Sequence, residues 1–303
     1  MERYRKLSRY LKEKYGCRVH RITIEGGFTC PNRERGNPCI FCDPTGSGFN
    51  TLRGMSIKAQ ALAQIERAKK KYGAKKFIAY FQAYTNTYAP SDVLRERYSE
   101  AIVDDVVQLS VSTRPDCVSQ DVLDVLNEFK NRVEVSVELG LQSANYRTLM
   151  ILKRGHTLAD FIDAVLRCKK NGLEVIAHVI VDLPWDDQLD VLETARILSA
   201  LGVDGVKIHT LYVVKGTELE RMVQNGLNLL SFEEFVERIC IFLENLSSDI
   251  VIHRLVSDPP KGMTLLGNWN MSKMKILNIL EQEFEKRDLH QGSKFPHQSI
   301  LPS

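Results

Sequence analysis

The chain has 303 residues, 44% of them hydrophobic and 26% charged, which is enough for a full core in one large barrel or two ordinary domains. No run of about 18 uninterrupted apolar residues occurs, so a transmembrane helix is not expected, and seven cysteines in a chain this long read as metal or core residues, not a disulfide framework. The net charge of +3 conceals a basic first quarter, where residues 1–76 hold 18 Lys/Arg against 6 Asp/Glu. Such a stretch is either a surface for phosphates or a pair of solvated helices. The opening MERYRKLSRYLKEKYG lacks the apolar stretch of a signal peptide, and a cytoplasmic protein is expected.

Residues 1–18 form a basic N-terminal helix in this reading. Six β-branched, apolar runs then follow, at 18–25, 76–82, 105–112, 132–139, 174–184 and 204–213, several of them apolar on both faces as buried parallel strands are. Amphipathic stretches lie between them, among them SIKAQALAQIERAKKKYG, SQDVLDVLNEFKN, TLADFIDAVLRCKKNG and QLDVLETARILSALG. Ser119 and Thr157 stand where N-caps belong, and Gly172 and Gly202 where glycines end helices; Gly73 stops a helix whose last turn is lysine-rich. Alternation of this kind predicts an α/β fold with a parallel sheet, and the absence of a GxGxxG turn favours a partial (β/α)6 TIM-like barrel. The barrel is expected over 19–215. A C-terminal α/β extension over 216–303 packs on it, with a strand-like run at 249–257 and a helix near 272–287.

In a barrel, chemistry sits on the loops after the strands. Directly after the first run comes CPNRERGNPCIFC, with Cys30, Cys39 and Cys42 in a loop kept irregular by Pro31, Gly36 and Pro38. A structural zinc needs four protein ligands, and Cys17 or His20, which could complete the set, precede or begin the first strand and so belong to its other end. A loop without a site is the third choice, since CxxC beside another nearby cysteine is seldom idle; Cys117, Cys168 and Cys240 read as core or surface residues. A 4Fe-4S cluster needs only three thiolates when its fourth iron is left to a small molecule.

Together with the cysteines, TRPD (113–116), VELGLQS (137–143), KRGHT (153–157), VIAHVIVDLP (175–184) and VVKGTEL (213–219) resemble the radical S-adenosylmethionine (radical SAM) enzymes. These segments are similar in order to the barrel of the Elongator catalytic subunit, and GFTCPNR is closer to the YhcC/YtqA-like radical SAM proteins. The family's commonest spacing is CX3CX2C; here it is CX8CX2C. The resemblance implies that Cys30, Cys39 and Cys42 hold a 4Fe-4S cluster and that S-adenosylmethionine chelates the open iron. It further implies cofactor contacts from Phe41, Gln82, Tyr84, Thr85, Gln142, Ser143, Arg154 and Asp182, with the Arg154 fork on the cofactor carboxylate. The bland alternatives are a plug under the loop for Phe41, a helix-entry loop for Gln82 to Thr85, a surface residue for Arg154 and an N-cap for Asp182. Where the Elongator-like segment has glutamate before TRPD, this chain has Ser112, which puts that carboxylate's contact in doubt. Lys207, His209 and Cys117 are the candidate catalytic residues, and Lys215 and Arg254 stand near the expected barrel mouth.

The resemblance implies reductive cleavage of S-adenosylmethionine to a 5′-deoxyadenosyl radical, fed by a low-potential electron donor of flavodoxin or ferredoxin type. Relatives sharing these motifs modify the wobble uridine of tRNA, so tRNA is the expected partner, with phosphates met by the basic first quarter. No acetyltransferase-like region follows the barrel in this reading, so a two-domain Elongator reaction is not expected of the chain alone. A small metabolite or a protein side chain as substrate, and a non-enzymatic metal-binding module, are the alternatives.

Overall fold

Strands β1 (Val19–Ile24), β2 (Lys76–Phe81), β3 (Val106–Thr113), β4 (Glu134–Gln142), β5 (Glu174–Ile180), β6 (Gly205–His209), β7 (Val213–Val214), β8 (Val251–Arg254) and β9 (Thr264–Leu266) carry the fold. They belong to a computed structural model that describes residues 2–43, 45–46, 51–52, 54–260 and 262–295. Residues 296–303, the end of the expected extension, lie outside the described residues. Seven strands pair in parallel in the order β1-β2-β3-β4-β5-β6-β8, and β7 and β9 form a separate antiparallel ribbon. The expected partial barrel is present, and the strand read into the C-terminal extension adds a seventh stave to the same sheet.

The sheet curls into a half-barrel, which side-chain contacts across its inside make plain. Arg21 on β1 reaches Glu138 on β4 at 2.7 Å and the His253 ring on β8 at 3.2 Å. Helix Leu7–Tyr15 closes the lower end, where Ile252 N–H donates to the Arg5 carbonyl (2.8 Å) and Lys14 bridges Glu134 and Glu174 at the feet of β4 and β5. Outward faces of the strands, such as Ile22, Phe81, Leu109, Val137, Ala177 and Ile208, share one core with helix residues such as Ala61, Tyr98, Leu126, Phe161 and Phe242. Deleting a ring as buried as Phe161 costs about 3–5 kcal/mol in such a core.

Inward faces differ from the expected apolar pattern. They are buried, but Tyr80, Ser110, Ser136, Glu138, His178 and Lys207 occupy them. A barrel interior accepts such residues because opposite strands can pair them, which a flat sheet under helices cannot do.

Helix punctuation follows the sequence. Ser119 accepts from Val122 N–H, and Thr157 forms a capping box with Asp160. Gly73 closes Ile57–Tyr72 in the left-handed region at φ 62°, after Lys69, Lys70 and Lys71. Helices Ser91–Ala101 and Phe232–Asn245, left unassigned by periodicity, supply the crossovers before β3 and β8. Because each helix returns antiparallel to its strand, the lysine-rich end of Ile57–Tyr72 lies at the foot of the barrel, away from the cysteine loop.

Candidate active site

A cavity of about 240 Å3 opens at the C-terminal ends of the strands. Cys30, Cys39 and Cys42 line one wall, and β2, β3, β4, β5, β6 and β8 each contribute a side chain. The cysteine loop is anchored by short pieces of structure. Pro31 starts helix Pro31–Glu34 with Cys30 as its N-cap. Ile40 N–H donates to Leu152 O (3.3 Å), and Leu219 N–H to Ile40 O (2.9 Å).

Donors converge on the sulfurs. Cys39 Sγ accepts from Arg154 Nη1 (3.4 Å) and Asn32 Nδ2 (3.6 Å), and Cys42 Sγ from Arg33 Nη2 (3.3 Å). Burial pushes the Cys42 thiol up to about 11, with Cys39 adding and Arg33 opposing; a bound metal centre reverses this by taking the thiolate. Among the described residues no three His, Cys, Asp or Glu side chains converge on a single ion. A cluster makes a different demand, one sulfur for each of three irons. Two buried guanidinium nitrogens, Arg33 Nε and Arg114 Nη1, have no partner among the described residues, and both arginines line the cavity. Three sulfurs on one wall, those of Cys39 and Cys42 supplied with N–H donors, beside cationic groups with unused donors, fit an anionic thiolate cluster and a cofactor bearing a carboxylate.

Of the expected cofactor contacts, Phe41, Gln82, Tyr84, Thr85, Gln142 and Arg154 line the cavity. Phe41 also packs against a small apolar cluster that includes Ile40, Leu152 and Ile180, so plug and wall are one position. Ala83 (φ 88°), Tyr84 (φ 61°) and Gln142 (φ 76°) hold left-handed backbone at this wall, a strain that neighbours must maintain. Gly46 is pressed to Tyr84 so closely that a Cβ there would meet the ring at 2.3 Å. Arg154 is 8% exposed, not a surface residue, and donates to Gly140 O (2.9 Å) and to the His156 ring (3.2 Å).

Ser143 and Asp182 do not line the cavity. Ser143 Oγ accepts from Asn145 N–H (2.9 Å), and both Asp182 oxygens face Leu211 N–H at 2.9 and 3.0 Å. Burial raises Asp182 to about 7. The N-cap after Pro184 is Asp187. Lys207 and His209 line the cavity with Arg254, whereas Cys117 and the exposed Lys215 do not. Ser112 lines it too, and its ladder partner is Glu138. Cys17 sits before β1 and His20 stacks on Tyr72 (4.7 Å), so neither approaches the cysteine loop. Cys168 and Cys240 are core residues.

Sequence reasoning passed over Asn32, Arg33, Arg114 and Glu138. Arg114 pairs in bidentate fashion with Asp116 (2.9 and 2.8 Å) and reaches Gly155 O. Glu138, fully buried, receives Arg21 (2.7 Å), Ser110 (2.8 Å), His178 (2.6 Å) and Lys207 (3.0 Å). Those cations hold its carboxyl well below the usual range against the cost of burial. Lys207 is depressed by the same burial and by Arg21 and Arg254, and the His178 ring falls to about 4. A carboxylate inside VEVSVELGL was the available signal, since such a residue is rarely buried unpaired.

The chain belongs to the radical SAM superfamily: that family's model matches residues 24–198, and the Radical_SAM C-terminal domain matches 203–286. It is therefore an enzyme of this class, whose members use a 4Fe-4S cluster and S-adenosylmethionine. Among individual proteins it is 37% identical to Uncharacterized protein YtqA of Bacillus subtilis (strain 168), over 97% of this chain and 93% of that one. It is 28% identical to a tRNA uridine(34) acetyltransferase of Methanocaldococcus infernus over 60% of this chain and 34% of that protein. The solved archaeal Methanocaldococcus infernus Elp3 with N-terminus deletion (1-46) shares the fold, with a TM-score of 0.67 at 22% identity, covering 94% of this chain and 68% of the other.

Proposed function

We propose that this radical SAM enzyme modifies a uridine in tRNA, with Cys30, Cys39 and Cys42 as the cluster ligands. The observation that carries the substrate is the relationship to a tRNA uridine(34) acetyltransferase across 60% of the chain. When bound, the cluster and S-adenosylmethionine supply an electron and a hydrogen-abstracting carbon radical. The chain's own part is to hold and shield. Asn32, Arg33 and Arg154 supply N–H donors to the thiolates; the unused Arg114 Nη1 and the Arg154 fork offer a seat for the cofactor carboxylate. Phe41 and Tyr84 wall the cavity and keep water from the reacting atoms. Lys207, in contact with the Tyr80 hydroxyl (2.9 Å), is a proton carrier facing the substrate. An external low-potential donor delivers the electron.

A small-molecule substrate is the second reading, favoured by the charge distribution of the first quarter. Lys69 and Lys76 pair with Asp105, Lys70 with Glu66, and Lys14 with Glu134 and Glu174, all away from the cavity. The test is anaerobic reconstitution with iron and sulfide, reduction, and measurement of 5′-deoxyadenosine with and without bulk tRNA. The tRNA reading expects stimulation by tRNA and binding that weakens steeply with salt. Cleavage indifferent to tRNA, in a protein that does not bind it, overturns that reading in favour of a small substrate.

A further inference from the structure

The floor of the cavity holds more positive charge than its protein partners neutralise. Arg21, Lys207 and Arg254 face inward around one carboxylate, Glu138. A carboxylate has about four acceptor positions, and here they are filled: Oε1 by Arg21 and Ser110, Oε2 by His178 and Lys207. Nothing is left for Arg254. Among the described residues its guanidinium meets the Ile208 carbonyl (3.3 Å) and the His209 ring (3.0 Å to Nε2), and no carboxylate. Other acids nearby are committed elsewhere. Asp258 pairs with Lys273 (2.8 Å), and Asp182 is turned to Leu211 N–H. The same cavity that holds the cysteines is lined at this end by Tyr80, Lys207, His209, Tyr212 and Arg254. Withdrawing a guanidinium from water without a counter-charge is costly; at a cavity wall, a ligand's anion removes that cost when it binds.

We propose that the end of the cavity between β6 and β8 is an anion subsite for a carboxylate or phosphate group of the substrate, with Arg254 as its fork and Lys207 as the second cation. This rests on the reading of the same cavity as the radical SAM active site, and it narrows the substrate to a molecule whose anionic group reaches the β6–β8 end of that cavity. The planar fork suits two oxygens of either group. The anion would sit opposite the cysteine wall, which orients the neutral part of the substrate toward the cofactor.

Anaerobic calorimetry on cluster-reconstituted protein tests this, with inorganic phosphate, acetate and S-adenosylmethionine as separate probes. Wild type, Arg254→Gln, Arg254→Lys and the outer-surface control Arg95→Gln are compared. Wild type is expected to bind phosphate or acetate in the millimolar range, and which of them binds separates the two chemistries. Arg254→Gln should weaken that binding at least ten-fold, about 1.4 kcal/mol, Arg254→Lys less, and Arg95→Gln not at all. Absence of binding by both anions overturns the proposal, as does equal affinity in wild type and Arg254→Gln. A loss confined to S-adenosylmethionine also overturns it, by assigning Arg254 to the cofactor. Should Arg254→Gln fail to fold, Arg254→Lys decides the question by retaining most of the binding or losing all of it. Anion binding requires neither radical chemistry nor tRNA, so failure here is distinguishable from failure of the tRNA reading.

Discussion

The two ends of the barrel treat the same residue types in opposite ways. At the foot, Lys14, Lys69, Lys76 and Lys169 each have a carboxylate within 3.4 Å, on partly exposed side chains. At the mouth, Arg33, Arg154 and Arg254 meet sulfur, carbonyl oxygen and imidazole, and Arg114, which has a carboxylate, keeps one nitrogen without a partner among the described residues. Cations at the foot complete the fold, while those at the mouth leave donors for something the chain does not supply. Proximity of basic residues in sequence therefore says little about anion binding; the unfilled valence of each cation says more.

Breaking the mouth should cost the most activity. Cys39→Ala or Cys42→Ala is expected to bring 5′-deoxyadenosine below detection and to lower bound iron; full turnover in either variant would sink the cluster assignment. Next in size is the shared interior carboxylate. Glu138→Gln leaves buried Lys207 and half-buried Arg21 without a counter-charge, an expected loss of about 3–5 kcal/mol read from the denaturant midpoint. A change under 1 kcal/mol would mean that the interior cations are compensated otherwise.

Asp182 offers a pH-dependent contrast. Its carboxyl is raised to about 7 from 3.8, so the folded state holds a proton that the unfolded state has released, and this contribution is lost as pH rises from about 4 to 7. Asp182→Asn keeps an acceptor for Leu211 N–H but removes the titration. Relative to wild type it should therefore gain stability with rising pH, by roughly 2–4 kcal/mol across that window. A flat difference between pH 4 and 7 would rule out the raised carboxyl. The smallest effect belongs to the foot, where Lys14→Ala, at a partly exposed pair, should cost about 1 kcal/mol or less and leave S-adenosylmethionine cleavage unchanged. A loss of cleavage would mean that the two ends are coupled.

Much of the architecture was legible because it rests on local rules. Apolar runs, caps at Ser119 and Thr157 and stop glycines at 73, 172 and 202 set strands and helices, and their alternation leads to a parallel sheet. The three-cysteine loop was legible for the same reason, its residues being close in sequence and set just after a strand. Family resemblance, not local pattern, singled out Phe41, Gln82 and Arg154, which line the cavity. Ser143 and Asp182, expected as cofactor contacts, do not line the cavity for a shared reason: a residue at a strand end can turn either to the mouth or into the loop network, and only the packed neighbours choose.

Composition and pattern by themselves determined the α/β alternation, six of the seven strands of the parallel sheet and the place of the three-cysteine loop after the first of them. Tertiary structure alone decided that β8 joins the barrel, that Lys14, Lys69 and Lys76 of the basic first quarter pair with carboxylates at the foot, and that Glu138 cannot serve Arg254. Those outcomes depend on which side chains meet across a closed interior more than a hundred residues apart in sequence, and no local propensity encodes such distances.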